Sequence, residues 1–182
     1  QQMGEGDFVL IPAASSSVGL VAAQIVKAHG GSAIGTTTSP DKIETLQQMD
    51  EAPFDHLVLT HEDAWWKQVK AATDGHGCDV IFDPVAAGDF LNTEIRLLAD
   101  YGTLWVYGLL GQIGKVDVTP LIRKRAAIRG WVNGQLAETE EAVQDGYAHV
   151  LSRIADGTYR LPVAKTFPLR DVQQAHEYME QG

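Results

Sequence analysis

Asp7-Phe8-Val9-Leu10-Ile11-Pro12 runs directly into Ala13-Ala14-Ser15-Ser16-Ser17-Val18-Gly19, and from there into Leu20-Val21-Ala22-Ala23-Gln24-Ile25-Val26-Lys27-Ala28-His29. The three pieces read as an apolar strand, a tight turn of small residues and an alanine-rich helix. Such a unit makes an anion seat. The first N–H groups of the helix have no intrahelical partner, the positive end of its dipole points the same way, and small side chains at the turn let a diphosphate approach the backbone. The ligand this predicts is a dinucleotide. The plainer alternative is a serine N-cap with no ligand, and the repetition of the strand–helix alternation downstream weighs against it.

That alternation continues along the chain. Ser32-Ala33-Ile34-Gly35-Thr36-Thr37 reads as a second strand, followed by a helix opened by Ser39-Pro40-Asp41 and running toward Met49. Asp55 to Thr60 is a third strand, with a helix from about Asp63 to Thr73 after it. Cys78 to Asp83 is a fourth, a helix passes through Leu91 to Leu98, and Gly102 to Gly108 is a fifth. Apolar strands separated by helices predict an α/β fold, a Rossmann-type doubly wound parallel sheet. Beyond Gly114 the pattern changes. Val116-Asp117-Val118 and Ala127 to Val132 read as short strands flanking a basic turn, the second a candidate sixth sheet strand. A helix from about Glu138 to Ala155, an extended stretch from Leu161 to Leu169 and a helix from Asp171 complete the chain. Residues 1–136 are thus expected to form a dinucleotide-binding domain and 137–182 a helix–strand–helix extension. Gln1-Gln2-Met3 reads as a cut inside a longer protein, and the end at Gln181-Gly182 as a second truncation.

Composition narrows the function. A chain of 182 residues that is 45% hydrophobic buries one good core. A net charge of -10 disfavours nucleic acid and anionic membrane surfaces, and only Arg123-Lys124-Arg125 reverses it locally. With one cysteine, Cys78, no disulfide framework is possible, which fits a reducing cytoplasm. No apolar run approaches the roughly 20 residues that span a bilayer. The histidines, His29, His56, His61, His76, His149 and His176, are scattered without i,i+4 pairing, so no metal site is expected from this chain. Cys78 opens a buried strand and reads as a small core residue rather than a nucleophile. Of Trp65 and Trp66, at least one ring is expected to be exposed or half-covered. Trp105 and Trp131 read as core or interface.

Three stretches carry a family resemblance: Ala13 to Gly19 as an alanine-rich phosphate turn, Gly35-Thr36-Thr37-Thr38-Ser39-Pro40-Asp41-Lys42 as a second strand end, and Phe167-Pro168-Leu169 leading to Asp171-Val172-Gln173-Gln174-Ala175-His176. On these the chain resembles the cofactor-binding half of the medium-chain dehydrogenase/reductase superfamily, in its zinc-independent quinone oxidoreductase-like branch, over nearly its whole length. The resemblance implies a missing N-terminal β-rich domain that supplies most of the substrate pocket. It implies a homodimer too, joined through the edge strand around Ala127 to Val132, since an unpaired apolar edge is otherwise an aggregation hazard.

The turn departs from G-x-G-x-x-G, keeping only Gly19, although Ala13 and Ser16 remain small. Hydroxyls of Ser15, Ser16 and Ser17 can cap the helix or donate to phosphate, and Val18 and Gly19 complete the expected seat. NAD-preferring sites place a carboxylate about 20 residues beyond the turn. Here Thr36, Thr37, Thr38 and Ser39 stand there, with Lys42 one turn on, where similar quinone reductases face the 2′-phosphate. NADP(H) is therefore the expected cofactor, the competing reading being Lys42 as a solvated helix residue beside Asp41. Ligands of open parallel sheets lie beyond the carboxyl ends of the strands, which adds Asp83-Pro84-Val85 after the fourth strand and Tyr107-Gly108-Leu109 after the fifth as walls of the nicotinamide end. The expected function is hydride transfer from NADPH to a small-molecule quinone or α,β-unsaturated carbonyl, with no catalytic residue assigned and the fragment inactive alone. Two alternatives stay open: a zinc-dependent alcohol dehydrogenase of the same superfamily, and a non-catalytic NADP-binding redox-sensing module. An adenosyl-methionine methyltransferase is disfavoured, because its second strand would end in an acid.

Overall fold

Alternate residues of the first strand feed different cores. In the computed structural model, which describes residues 3–112, 114–132, 134 and 139–180, β1 (Phe8–Ile11) sends Leu10 to one face with Ile34, Ile81 and Leu104. Val9 and Ile11 go to the other, with Ala23, Val26 and Ala33. Both faces of the strand are therefore covered, as a parallel sheet demands. Around it lie β2 (Ser32–Thr37), β3 (His56–Leu59), β4 (Cys78–Asp83), β5 (Leu98–Val106) and β6 (Ala127–Gly130). The sheet is six-stranded with the order β3-β2-β1-β4-β5-β6, and every neighbouring pair is parallel.

Two helix layers sandwich it. On one side α1 (Ser17–Ala28) and α2 (Pro40–Gln47) pack through Leu20, Ala23, Val26 and Leu46. On the other, α3 (Trp66–Ala72), α4 (Gly88–Leu97) and α5 (Thr119–Lys124) pack through Val69, Leu91, Ile95 and Leu121. The fold is the doubly wound α/β arrangement that the strand–helix alternation predicts. Because β1 connects to β2 on one side while its other neighbour, β4, connects to β5 away from it, a crevice opens beyond the carboxyl ends of β1 and β4.

After β6 come α6 (Glu140–Ala155) and α7 (Val172–Glu180), neither of which contributes a buried residue. Among the described residues this extension meets the sheet domain through one hydrogen-bonding amide and through His149, whose ring lies 6.2 Å from that of His29. Gln24, on the buried face of α1, donates from Nε2 to the carbonyl of Arg160 (3.0 Å) and to that of Glu51 (2.9 Å), and its Oε1 accepts the Arg160 N–H (2.6 Å). Next to it Tyr159 is buried, its hydroxyl bonded to His149 of α6.

Four local expectations need correction. Val116-Asp117-Val118 is not a strand, since its polar groups are taken by α4. Asn92 binds both the Lys115 carbonyl and the Asp117 N–H, and Arg96 pairs with Asp117. The basic turn after it is the helix α5, closed by Arg125 in a left-handed conformation. The stretch from Leu161 to Pro168 forms no strand, so among the described residues the extension is helix, irregular chain, a 3-10 turn at Leu169–Asp171 and helix. The sixth strand ends at Gly130 rather than Val132, although the Trp131 N–H still reaches the Val106 carbonyl. The domain boundary at 136/137 and the helix start at Glu138 lie outside the described residues. No described helix is long and apolar enough to cross a membrane.

Gln24→Ala removes both partners of the Arg160 peptide groups and strands the Glu51 carbonyl. Thermal unfolding is expected to show a loss of about 1–3 kcal/mol. Limited proteolysis is expected to cut near Arg160 before the sheet domain opens.

Candidate nucleotide site at the carboxyl ends of the strands

The turn after β1 is shaped by backbone contacts. Ala13 takes a positive φ of 53°, the Ala14 N–H bonds to the Thr36 carbonyl of β2 (2.9 Å), and the Ser16 N–H returns to the Ala13 carbonyl (2.9 Å). Helix α1 then starts with Ser16 as its N-cap, whose Oγ accepts the Gly19 N–H at 3.0 Å. A Cβ on Gly19 would lie 2.7 Å from the Ala13 carbonyl oxygen and 2.8 Å from that of Ala14, so only glycine lets the helix start this close to the strand. The three serines consequently divide. Ser16 is spent on the cap, Ser15 and Ser17 line cavities on either side of it, and Val18 is exposed.

Beyond the turn lies a cavity of about 410 Å³, whose walls include Ser15, Thr36, Thr37, Lys42, Thr60 and Val85. Thr36 and Thr37 are buried at the tip of β2, and Thr37 Oγ1 accepts the Ser39 N–H at 3.3 Å. Ser39 occupies the N-cap position of α2 without a side-chain cap bond and is not part of this wall. Lys42 is half-buried, makes no ion pair among the described residues, and also borders a second cavity with Ser15 and Ser17. The first cavity is thus a hydroxyl-lined space with one cation and no carboxylate on its wall.

The loops after β4 and β5 are zipped together. The Tyr107 N–H bonds to the Asp83 carbonyl (3.0 Å), that of Leu110 to Pro84 (3.0 Å) and that of Gly111 to Val85 (2.8 Å). A Cβ on Gly108 would stand 2.6 Å from the Pro84 oxygen, so Pro84 and Gly108 touch through backbone. Gly108 and exposed Leu109 line a separate space with Tyr107 and Trp131, and only Val85 reaches the cavity that holds Lys42.

Sequence reading missed several groups here. Phe90 of α4 closes the Lys42 cavity and stacks on buried Trp65 at 5.3 Å, while Trp66 is the more exposed ring, under Lys67 and Lys70. Glu94, which the sequence reading did not single out, is fully buried, as is Asp83, which it placed on the wall after β4. The signal for Glu94 is present in the sequence, because Leu91, Glu94 and Ile95 fall on one helical face. Cys78 is buried and its thiol is pushed up to about 12, first by burial and then by neighbouring Asp79 and Glu94, so it stays an inert core group. Among the described residues, no group of three or more His, Cys, Asp or Glu is placed to hold a metal ion.

Residues 17–146 match the zinc-binding dehydrogenase family. The chain is 30% identical over 173 residues to a quinone oxidoreductase of Pseudomonas aeruginosa, a match covering 94% of this chain and 52% of that protein. Among solved structures, 2-haloacrylate reductase superposes with a TM-score of 0.87 at 26% identity, covering 99% of this chain and 56% of its own. Escherichia coli quinone oxidoreductase complexed with NADPH superposes with a TM-score of 0.85 at 25% identity, covering 99% and 55%. The chain therefore spans about half the length of the relatives it matches.

Gly19→Ala forces a methyl group into the Ala13 and Ala14 carbonyls. It is expected to cost about 1–3 kcal/mol in chemical denaturation, whereas Val18→Ala, one residue earlier and exposed, is expected to change stability by less than about 0.5 kcal/mol.

Proposed function

The chain belongs to the zinc-binding dehydrogenase family, within the medium-chain dehydrogenase/reductase superfamily, and on that footing we propose that it is the cofactor-binding portion of an NADPH-dependent oxidoreductase. The observation that carries this reading is the Lys42 cavity: a helix N-terminus opens onto a hydroxyl-rich wall with one unpaired cation and no carboxylate. A 2′-phosphate suits such a wall, and a free ribose hydroxyl gains no acceptor from it. Residues 1–136 are the dinucleotide-binding unit in this reading, and 137–182 pack toward the domain that completes the active site.

The residues fit the cofactor. The free N–H groups of the first turn of α1, at Ser17 and Val18, face the diphosphate, with Gly19 allowing the close approach and the Ser15 and Ser17 hydroxyls beside them. Thr36, Thr37 and Lys42 form the adenosine phosphate end, with Ser39 behind them at the start of α2. Pro84, Val85, Gly108 and Leu109, fixed by the zipped loops, bound the nicotinamide end. A nicotinamide held there supplies the hydride donor. The work of this chain is to orient the ring, hold one face against packed backbone and exclude water from that side. Among the described residues the one cysteine is buried and no cluster of ligand side chains is placed to hold a zinc ion. The acceptor in this reading is a quinone or an α,β-unsaturated carbonyl bound mainly by the other domain. The 182-residue chain alone accordingly binds cofactor without turnover. Assembly is through β6, which has β5 on one side only, so two copies joining edges form a homodimer.

Lys42→Ala is expected to weaken NADPH binding by roughly tenfold or more, the worth of a charge-assisted phosphate contact, and to leave NADH binding nearly unchanged. Thermal-shift titrations with both nucleotides check this, and an equal loss for both removes Lys42 from the phosphate site. Sizing by light scattering tests the dimer, and a monomer at every concentration rejects it.

A further inference from the structure

Beneath the crevice lies a carboxyl pair that the proposed function leaves unused. Glu94 of α4 is fully buried, and no N–H or O–H donor reaches either of its oxygens among the described residues. It faces Asp83, the last residue of β4, also fully buried. The two Asp83 oxygens accept the N–H groups of Val85 (2.6 Å) and Ala86 (2.8 Å). Those bonds bend the chain through a turn in which Ala86 has a φ of 49°, and they seat Pro84 against Gly108.

Two ionised carboxylates do not coexist in one dry space. Burial first, and then the Asp83 charge, hold the Glu94 carboxyl well above the ordinary range. Burial raises Asp83 as well, but its two backbone N–H bonds and the proton offered by Glu94 oppose that rise. The proton of the pair therefore sits on Glu94. We infer that Glu94 is a positioning residue: as a neutral acid it hydrogen-bonds the Asp83 carboxylate, which in turn locks the turn at Pro84–Ala86, so that losing the Glu94 proton loosens this wall of the crevice. That the loosened wall binds NADPH less tightly rests on the function proposed above.

The surrounding groups leave this proton to the pair. Cys78 of β4 and Tyr107 beyond β5 both have their acid groups pushed up to about 12 by burial, helped by neighbouring carboxylates, and stay neutral below that. The cations on the packed helices are engaged elsewhere. Lys70 of α3 lies 5.1 Å over the Trp66 ring, and Lys124 of α5 donates to the carbonyls of Arg96 and Leu98. Because the Glu94 carboxyl is raised on folding, its contribution is complete below the ordinary value of 4.5. Above that, the unfolded chain gives up the proton first, and stability falls with rising pH until the folded group also ionises.

Glu94→Gln keeps an N–H donor for Asp83 and never ionises. Between about pH 5 and 9, the melting temperature of the 182-residue variant is expected to rise relative to wild type by roughly 4 °C or more. Amide exchange on the wild-type chain provides a second measurement. Protection at Val85 and Ala86, corrected for base catalysis and compared with Leu10, is expected to drop about threefold or more toward alkaline pH and to stay level in Glu94→Gln. NADPH affinity follows the same pattern. Parallel melting profiles for the two proteins, or protection at Val85 and Ala86 that tracks Leu10 at every pH, overturns the inference. Diverging profiles with no NADPH binding at any pH support the hold on the turn and overturn the nucleotide reading instead.

Discussion

The contact between Gly19 and the carbonyl oxygens of Ala13 and Ala14 sets the geometry on which the crevice depends. With no Cβ at that point, α1 starts hard against the turn that ends β1, with the unpaired N–H groups of its first turn at that end. The Ala14 N–H ties the same turn to Thr36. One close approach therefore fixes the helix, the strand end and the wall of the Lys42 cavity together. Moving the helix outward would separate the seat for a diphosphate from the hydroxyls that follow it.

Much of this was legible in the chain because each βα unit states its own period and its own stop. Ser32–Thr37 and Cys78–Asp83 begin and end where their apolar runs do, and Gly30-Gly31 closes the helix between the first two strands. The errors share a cause. Val116 to Val118 has strand-forming residues, but Asn92 and Arg96 of α4 take its polar groups, a contact made across 25 residues that no local pattern displays. The extended stretch from Leu161 likewise reads as a strand with no partner strand in the sheet to pair with. Propensity names what a segment tolerates, and the available partner decides what it becomes.

The candidate site was legible in the same uneven way. The turn, the threonines and Lys42 announce themselves by spacing from β1 and β2. Phe90 and Glu94 do not, because their role depends on which helix face meets which strand end. Only the placement of Glu94 beside Leu91 and Ile95 hinted that an acid would be buried, and nothing in the sequence tells that its neighbour there is another carboxylate.

The charge of the molecule sharpens what the crevice must accomplish. A chain with a net charge of -10 repels a polyanionic nucleotide at long range, and Lys42 alone does not reverse that field. In the proposed reading, attraction comes from groups that act over a few ångströms: oriented N–H groups at the start of α1, hydroxyls on β2, and one ammonium held half out of water. Such groups are effective only when they are already in place as the ligand arrives, since a flexible wall would lose the same energy in ordering itself. Neutralising Glu94 rather than adding a second buried negative charge beside Asp83 fits this requirement. The crevice is kept rigid by a hydrogen bond beneath it that brings no further negative potential to the phosphate side.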